Sequence, residues 1–356
     1  MRLFIPLSLC LSGCATTFDS TASDTTSPMA ESCDAIARTV SPASSGQSNF
    51  YYRSDIVFSV TSGGEDAEIS LVDSTGSAVS GAQWIDERVA PDEPLLVRFT
   101  PDEPLQAETA YTATLRYCAG SPSVTFQTSS LGKELEEPGQ IEGRTFTMDL
   151  SAAKVVQPSG AAQVLLTLLD NDLSLQVDRV DGDTLDITVA PTRRGDGEQD
   201  TCVPTLDFSM DGNFAKAPAF DVGPVDVPFA VAGYTVMLYD AFSSATFAAD
   251  GSYFAGGRMS GSVDARDVVI ALDGRGVLPS DDPADLCSLL ANHNLGCTPC
   301  RDGEPLCLDL EVANIEGSQV ELDVEAVYDT DCHERCAASC DNSECELGED
   351  LAVCPS

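Results

Sequence analysis

Apolar and polar residues alternate over short distances through most of this chain, and turn residues break the runs. Between residues 33 and 130 the segments "DIVFSV", "EISLVD", "EPLLVRF", "AYTATLRY" and "SVTFQT" are each bounded by Pro, Gly or Ser-Thr-Gly. Strands spaced about ten residues apart predict a two-layer β-sandwich. "LGKELEEPGQ", residues 131–140, reads as a charged linker. A second β-rich pattern occupies 141–330. It opens at "GRTFTMDL" and continues through the hairpin signal "LSLQVDRVDGDTLDITVA", with Asp181-Gly182 at the turn. Further β-rich segments run from Tyr234 to Leu272, with turns expected at Asp250-Gly251 and Gly256-Gly257. "LCLDLEVANI" and "QVELDVEAVY" close the domain as two strands. Two short helices are expected, at Ser159–Leu169 and in "DDPADLCSLLANHN", where Asp282 caps and Pro283 fills the first turn. The fold class is therefore mainly β: a sandwich, then an antiparallel sandwich or open barrel carrying two helices, then a cysteine-rich tail at 331–356.

The chain begins differently. Arg2 precedes an apolar run, Leu3 to Leu11, that is shorter than the roughly 20 residues a spanning helix needs. Leu11-Ser12-Gly13-Cys14 resembles the bacterial lipobox at all four positions. The resemblance implies a signal peptide over 1–13, cleavage before Cys14, and acyl chains on that residue that anchor the protein to a membrane. Ala15 in place of aspartate implies the outer membrane. Residues 14–32, "CATTFDSTASDTTSPMAES", are too polar to form a core and read as a tether.

Charge narrows the partners. Against 58 Asp+Glu stand 18 Lys+Arg, a net charge of −40. Nucleic acid is excluded as a partner, because phosphate binding needs clustered cations. A protein or polysaccharide ligand remains open.

Of 14 cysteines, Cys10 leaves with the leader and Cys14 takes lipid, so twelve remain. An even number in an exported chain predicts disulfides. Cys33 and Cys118 have no other local partner and are expected to pair. The others are Cys202, the run Cys287, Cys297, Cys300 and Cys307, and the tail residues Cys332, Cys336, Cys340, Cys345 and Cys354. The run contains "CTPC" with His293 nearby, so zinc and a redox pair are its alternatives. Five tail cysteines require at least one bridge back to the preceding domain.

Two further stretches resemble known families. "FTPDEPLQAETAYTATLRY", Phe99 to Tyr117, resembles bacterial Ig-like domains and implies that fold with a spacing or presenting role. Cys340 to Pro355 resembles a small cysteine-rich motif, C-x(4)-C-x(2)-G-E followed by C-P, found at the ends of exported bacterial proteins. Leu351 replaces one expected cysteine. The 141–330 region as a whole is similar to domains of envelope lipoproteins from myxobacteria-like bacteria, which carries no activity with it.

Catalytic signatures are missing from the sequence: no G-x-S-x-G, H-E-x-x-H or phosphate loop occurs, and the two histidines are His293 and His333. The reading is a non-enzymatic envelope lipoprotein with an Ig-like spacer presenting a binding or scaffold domain. Its alternative is a calcium- or carbohydrate-binding module in 141–330. Asp178, Asp181, Asp183 and Asp186 are the calcium candidates, although their spacing is not that of an EF-hand. Tyr234, Tyr239, Phe247, Tyr253 and Phe254 are the aromatic candidates for a sugar site. A hydrolase and a lipid carrier stand behind these.

Overall fold

A computed structural model of the chain describes residues 35–61, 66–86, 94–157, 166, 169–181, 184–194, 196–201, 203–211, 214, 218–231, 234–273, 282–291 and 296–328. The protein is mainly β. Its first part holds β1 (Ala37–Ser41), β2 (Gln47–Phe50), β3 (Ile56–Val60), β4 (Glu68–Asp73), β5 (Gly81–Ile85), β6 (Leu95–Pro101), β7 (Ala110–Arg116) and β8 (Ser123–Thr128). They form two four-stranded sheets, ordered β1-β3-β6-β5 and β2-β8-β7-β4. β2 pairs parallel to β8, and the other ladders are antiparallel.

The alternation seen in the sequence explains this sandwich. Ile56, Phe58, Val60, Val97 and Phe99 point inward from one sheet, and Ile69, Leu71, Tyr111, Ala113, Leu115, Val124 and Phe126 from the other. At the start of β7 the buried Tyr111 hydroxyl accepts the backbone N–H of Gln106 at 2.9 Å, fixing the corner after the double-proline turn. Trp84 lies on edge strand β5 and is 44% exposed, so it takes no part in the core.

The second part holds β9 (Thr145–Met148), β10 (Lys154–Gln157), β11 (Asn171–Asp181), β12 (Thr184–Arg193), β13 (Leu206–Asp211), β14 (Ala219–Val231), β15 (Tyr234–Phe247), β16 (Tyr253–Asp264) and β17 (Cys307–Val320). They build one antiparallel sheet in the order β13-β12-β11-β9-β17-β16-β15-β14, with β10 added to β17. The sheet curls into a nearly closed barrel around Phe146, Phe220, Phe247, Phe254, Leu175 and Ile187. Helices α1 (Ala265–Asp273) and α2 (Pro283–Ala291) follow β16 and pack against each other. Val268, Val269 and Leu272 of α1 join the barrel core.

Several expectations are corrected here. "ARDVVIALD" is helix α1 rather than strand: the Asp264 carboxylate accepts the Arg266 N–H at 2.9 Å as a cap, which outweighs the local run of β-branched residues. Gly256-Gly257 is a bulge inside β16 rather than a turn, with the register shifting between Phe254 and Gly257. Pairing of Asp181 with Thr184 places the hairpin connection one residue beyond Asp181-Gly182. The two closing strands are one, β17. Beyond Val320 the chain is held by side chains and a single backbone bond among the described residues: Val324 and Glu325 donate their N–H groups to Gln176 and Gln199 at 2.8 Å, and the Val327 carbonyl accepts the Thr205 N–H at 3.0 Å. The expected helix at 159–169 lies largely outside the described residues. α2 forms where its cap predicted, with Ala284 N–H donating to Asp282 at 2.9 Å.

Residues 131–140 pack closely onto both parts. Leu131 is buried in the sandwich core and Leu135 in the barrel core. Beside this strap the two parts lock together. The Tyr51 and Tyr52 hydroxyls meet the buried Thr246 hydroxyl at 2.8 and 3.2 Å, and Arg53 faces Asp221 at 3.3 Å. Gly256 leaves room for the Tyr51 ring, since a Cβ there would stand 2.2 Å from Cε2. Burial raises the pKa of both phenols above the ordinary tyrosine value of about 10, and their bonds to Thr246 oppose it. A raised folded pKa contributes stability that is complete below pH ~10 and lost as pH climbs through the folded values. The joint is therefore expected to loosen reversibly in alkali. Tyrosinate absorbance should show late-titrating phenols that vanish in a Tyr51→Phe/Tyr52→Phe variant; unchanged titration would show that these two rings are not held in the joint.

Candidate functional site

The joint defines two far ends. On β15, Thr246 touches the sandwich, whereas Tyr239 and Asp240 lie seven and six residues away, about 20 Å along an extended strand. Beside them the middle of β14 carries Asp226, and the paired ends of β16 and β17 carry Ser262, Asp264 and Asp309. A loop over residues 296–306 folds across this end, closed by the Thr298–Cys307 bridge with N···O distances of 2.7 and 2.9 Å. Two disulfides clamp it: Cys287–Cys297 ties it to α2, and Cys300–Cys307 ties it to β17. The disulfide expectation for this run is met. The two cysteines of "CTPC" go to different partners, which removes the redox-pair alternative.

The clamped loop projects Arg301 and Asp302 from a turn in which Gly303 has a positive φ of 88° and Asp302 accepts the Glu304 N–H at 3.0 Å. Arg301 grips Asp226 with two bonds of 2.7 and 2.8 Å and reaches Asp240 at 2.9 Å. Its guanidinium lies 4.8 Å from the Tyr239 ring centroid, a cation–π contact. Arg266 binds Asp264 at 2.6 Å and Asp302 at 2.7 Å. Between these groups lies a polar cleft of about 350 Å³, bordered also by Ser262 and Asp309. The Arg301 hydrogen bonds hold Asp226 below the usual carboxylate pKa; the Glu304 N–H and then Arg266 do the same for Asp302. Asp267 on α1 is shifted upward by burial and by the neighbouring Asp264 charge.

Four lining carboxylates, Asp240, Asp264, Asp302 and Asp309, against two guanidiniums leave the cleft anionic, with the Tyr239 ring lying against the Arg301 guanidinium. That arrangement suits recognition of a polar ligand. Asp264, Cys300 and Cys307 come within 4.8 Å of one another, but both sulfurs are spent in a disulfide and offer no thiolate to a metal. The zinc alternative for this run falls for the same reason.

The other predicted residues are scattered. Asp186 binds Arg179 and Ser209, Asp181 lies 3.7 Å from Arg179, and Asp178 accepts from Gln176 and Thr188. These acids line the hairpin as partners of their own strand neighbours. Cys118 is disulfide-bonded. Its expected partner Cys33, together with Cys14, Asp183, Cys202, His293, His333, Cys332, Cys336, Cys340, Cys345 and Cys354, lies outside the described residues. Phe247 and Phe254 are fully buried core, Tyr253 is 39% exposed at the joint end, and Tyr234 packs partly against the core. Of the aromatic candidates, Tyr239 alone borders the cleft. The arginines and their acids were not singled out by sequence. The available signal was "CRDGEPLC", an Asp-Gly turn between two cysteines that carries a single cation to its tip.

Opening the Cys300–Cys307 loop with a double Cys→Ser variant should cost about 2–3 kcal/mol by loop-closure entropy. Urea melts of the oxidised protein and the variant measure it. A loss under about 0.5 kcal/mol would mean the loop holds its shape without the staple. No family model matches the chain, and no curated protein was found to match it.

Proposed function

We propose that the chain is a lipid-anchored envelope protein in which an Ig-like sandwich holds a β-barrel binding domain away from the membrane, the distal cleft being the face presented. The carrying observation is the end-to-end order. Ala35, where the described chain starts, meets Tyr117 past the end of β7, about 20 Å from the joint-side Tyr111. The cleft sits at the barrel end opposite the same joint. A tether attached at Cys14 would thus be as far from the cleft as the two parts allow.

The Ig-like reading has two supports. The order β1-β3-β6-β5 matches the ABED sheet of constant-type domains and β8-β7-β4 the GFC sheet, with β2 added parallel to β8, and Tyr111 makes the backbone bond of a tyrosine corner. Recognition is the reading the pairing favours: Asp226 and Asp240 are engaged by Arg301, and Asp264 and Asp302 by Arg266. The polar cleft favours a polysaccharide or a hydrophilic protein segment.

Two measurements test this. A Cys14→Ser chain should leave the membrane fraction, and its retention there would remove the anchor. Thermal melts of that chain should then be run against calcium, EDTA and a panel of envelope polysaccharides. A ligand at 100 times its dissociation constant raises stability by about 2.7 kcal/mol. A shift abolished by a Tyr239→Ala/Arg301→Ala variant assigns the ligand to the cleft. A shift that survives that variant moves recognition elsewhere.

A further inference from the structure

We infer, resting on the reading of the distal cleft as the recognition face, that it selects a polysaccharide whose sugars carry a free primary amine, with the ammonium seated between Ser262 and Asp309. At about 350 Å³ the cleft falls within the roughly 300–1,000 Å³ of small-ligand sites. Its floor is the outer face of the barrel sheet. Tyr239 of β15 pairs with Ser262 of β16, and Ser262 pairs with Asp309 of β17, so the three side chains stand in one row across three strands. The adjoining Leu238 and Val263 face the barrel core instead.

Charge alone does not choose a ligand; the unspent polar groups do. Asp240 is engaged by Arg301, and Asp264 and Asp302 by Arg266. Of the lining carboxylates, Asp309 alone has no cation among the described residues, and its contact is the Thr298 hydroxyl at 3.4 Å. The Ser262 and Tyr239 hydroxyls make no hydrogen bond among those residues. Arg266 spends Nε and Nη2 on its acids, which leaves Nη1. The row thus offers an anionic acceptor, two hydroxyls and one cationic donor.

An ammonium holds its acceptors about 2.8 Å away in tetrahedral directions, which sets two of them about 4.6 Å apart. Directly opposed side chains on neighbouring strands stand about 4.5–5.5 Å apart at Cβ, so the Ser262 hydroxyl and the Asp309 carboxylate flank a seat of that size. The remaining groups separate a sugar from a lysine side chain. A 2-amino sugar carries hydroxyls on carbons next to the one bearing nitrogen, and these can meet the Tyr239 hydroxyl and Arg266 Nη1. A lysine ammonium ends an apolar stem and would leave both unspent. Acetylation removes the charge and two of the three donors. Acidic sugars are repelled by Asp309 and by a chain carrying −40.

The test is isothermal titration of the full oxidised chain with Cys14→Ser, at about 150 mM salt to screen diffuse attraction to the acidic surface. The probes are β-1,4 tetramers of glucosamine, N-acetylglucosamine and glucose, with tetralysine alongside. The glucosamine tetramer should bind at least tenfold more tightly than each of the others. Asp309→Asn should cut that affinity about tenfold and Ser262→Ala about threefold. Glu103→Gln, which removes one charge from the exposed surface of the sandwich, should change nothing. Equal losses in Glu103→Gln and Asp309→Asn would mean diffuse attraction and overturn the seat, as would no saturable binding of the glucosamine tetramer. An acetylated tetramer that binds as tightly overturns the amine, and tetralysine that binds as tightly overturns the sugar. In both cases, loss of that binding in Tyr239→Ala/Arg301→Ala still leaves the cleft as the recognition face. Glucosamine binding that survives the double variant removes the ligand from the cleft and sinks both readings together.

Discussion

Replacing Phe247 by alanine should destabilise the protein by about 3–5 kcal/mol, the cost of removing a buried aromatic ring and leaving a cavity. Phe247 is fully buried, and its ring centre lies 5.2 to 5.8 Å from those of Phe146, Phe214, Phe220 and Phe254. These rings come from β9, β14, β15 and β16 and from Phe214 between β13 and β14, so one truncation loosens contacts among distant strands. Domains are stable by only about 5–15 kcal/mol, which makes such a loss a large fraction of the total. The urea midpoint should fall with an unchanged slope. A loss under about 1 kcal/mol would mean the barrel core is not organised around this ring.

The second large effect is expected at Gly256. Its φ of +67° lies in the left-handed region, where an L-residue pays about 1–2 kcal/mol. A Cβ would also fall 2.2 Å from the Tyr51 ring. In Gly256→Ala the ring must leave, taking with it the bond to Thr246. Each part keeps its own core, so the expected result is separation of one thermal transition into two and a larger radius of gyration by small-angle scattering. Tyr51→Ala should reproduce the scattering change without backbone strain. An unaltered profile in both would show that the strap and the Arg53–Asp221 pair hold the joint unaided.

The sandwich was legible because its strands alternate in the chain as they do in space: every second residue of "AYTATLR" enters the core. Its corner was legible too, since prolines and a tyrosine mark it locally. α1 was not. Val268, Val269 and Ile270 carry the composition of a strand, and only the Asp264 cap and packing of the helix against β15 decide otherwise. The joint was hidden for another reason: "YYR" reads as a turn, and its partners Thr246 and Asp221 lie nearly 200 residues later. The cleft draws its groups from four strands, a helix and a stapled loop. Acids that are distributed evenly along the chain give no hint of which will converge. The cysteine run, by contrast, was legible from its even number and close spacing.

The strap over residues 131–140 has a mechanical meaning. Tension applied between the two ends of the molecule, as the proposed anchor and ligand would apply it, loads the joint first. Should the joint slip, Leu131 and Leu135 peel away and the ten residues pay out at most about 33–36 Å before tension reaches β9. The contacts at Thr246 and Asp221 would yield before the ladders of either sheet and could reform on release. Under such a load the packed strap would act as a length of stored slack between the folded parts.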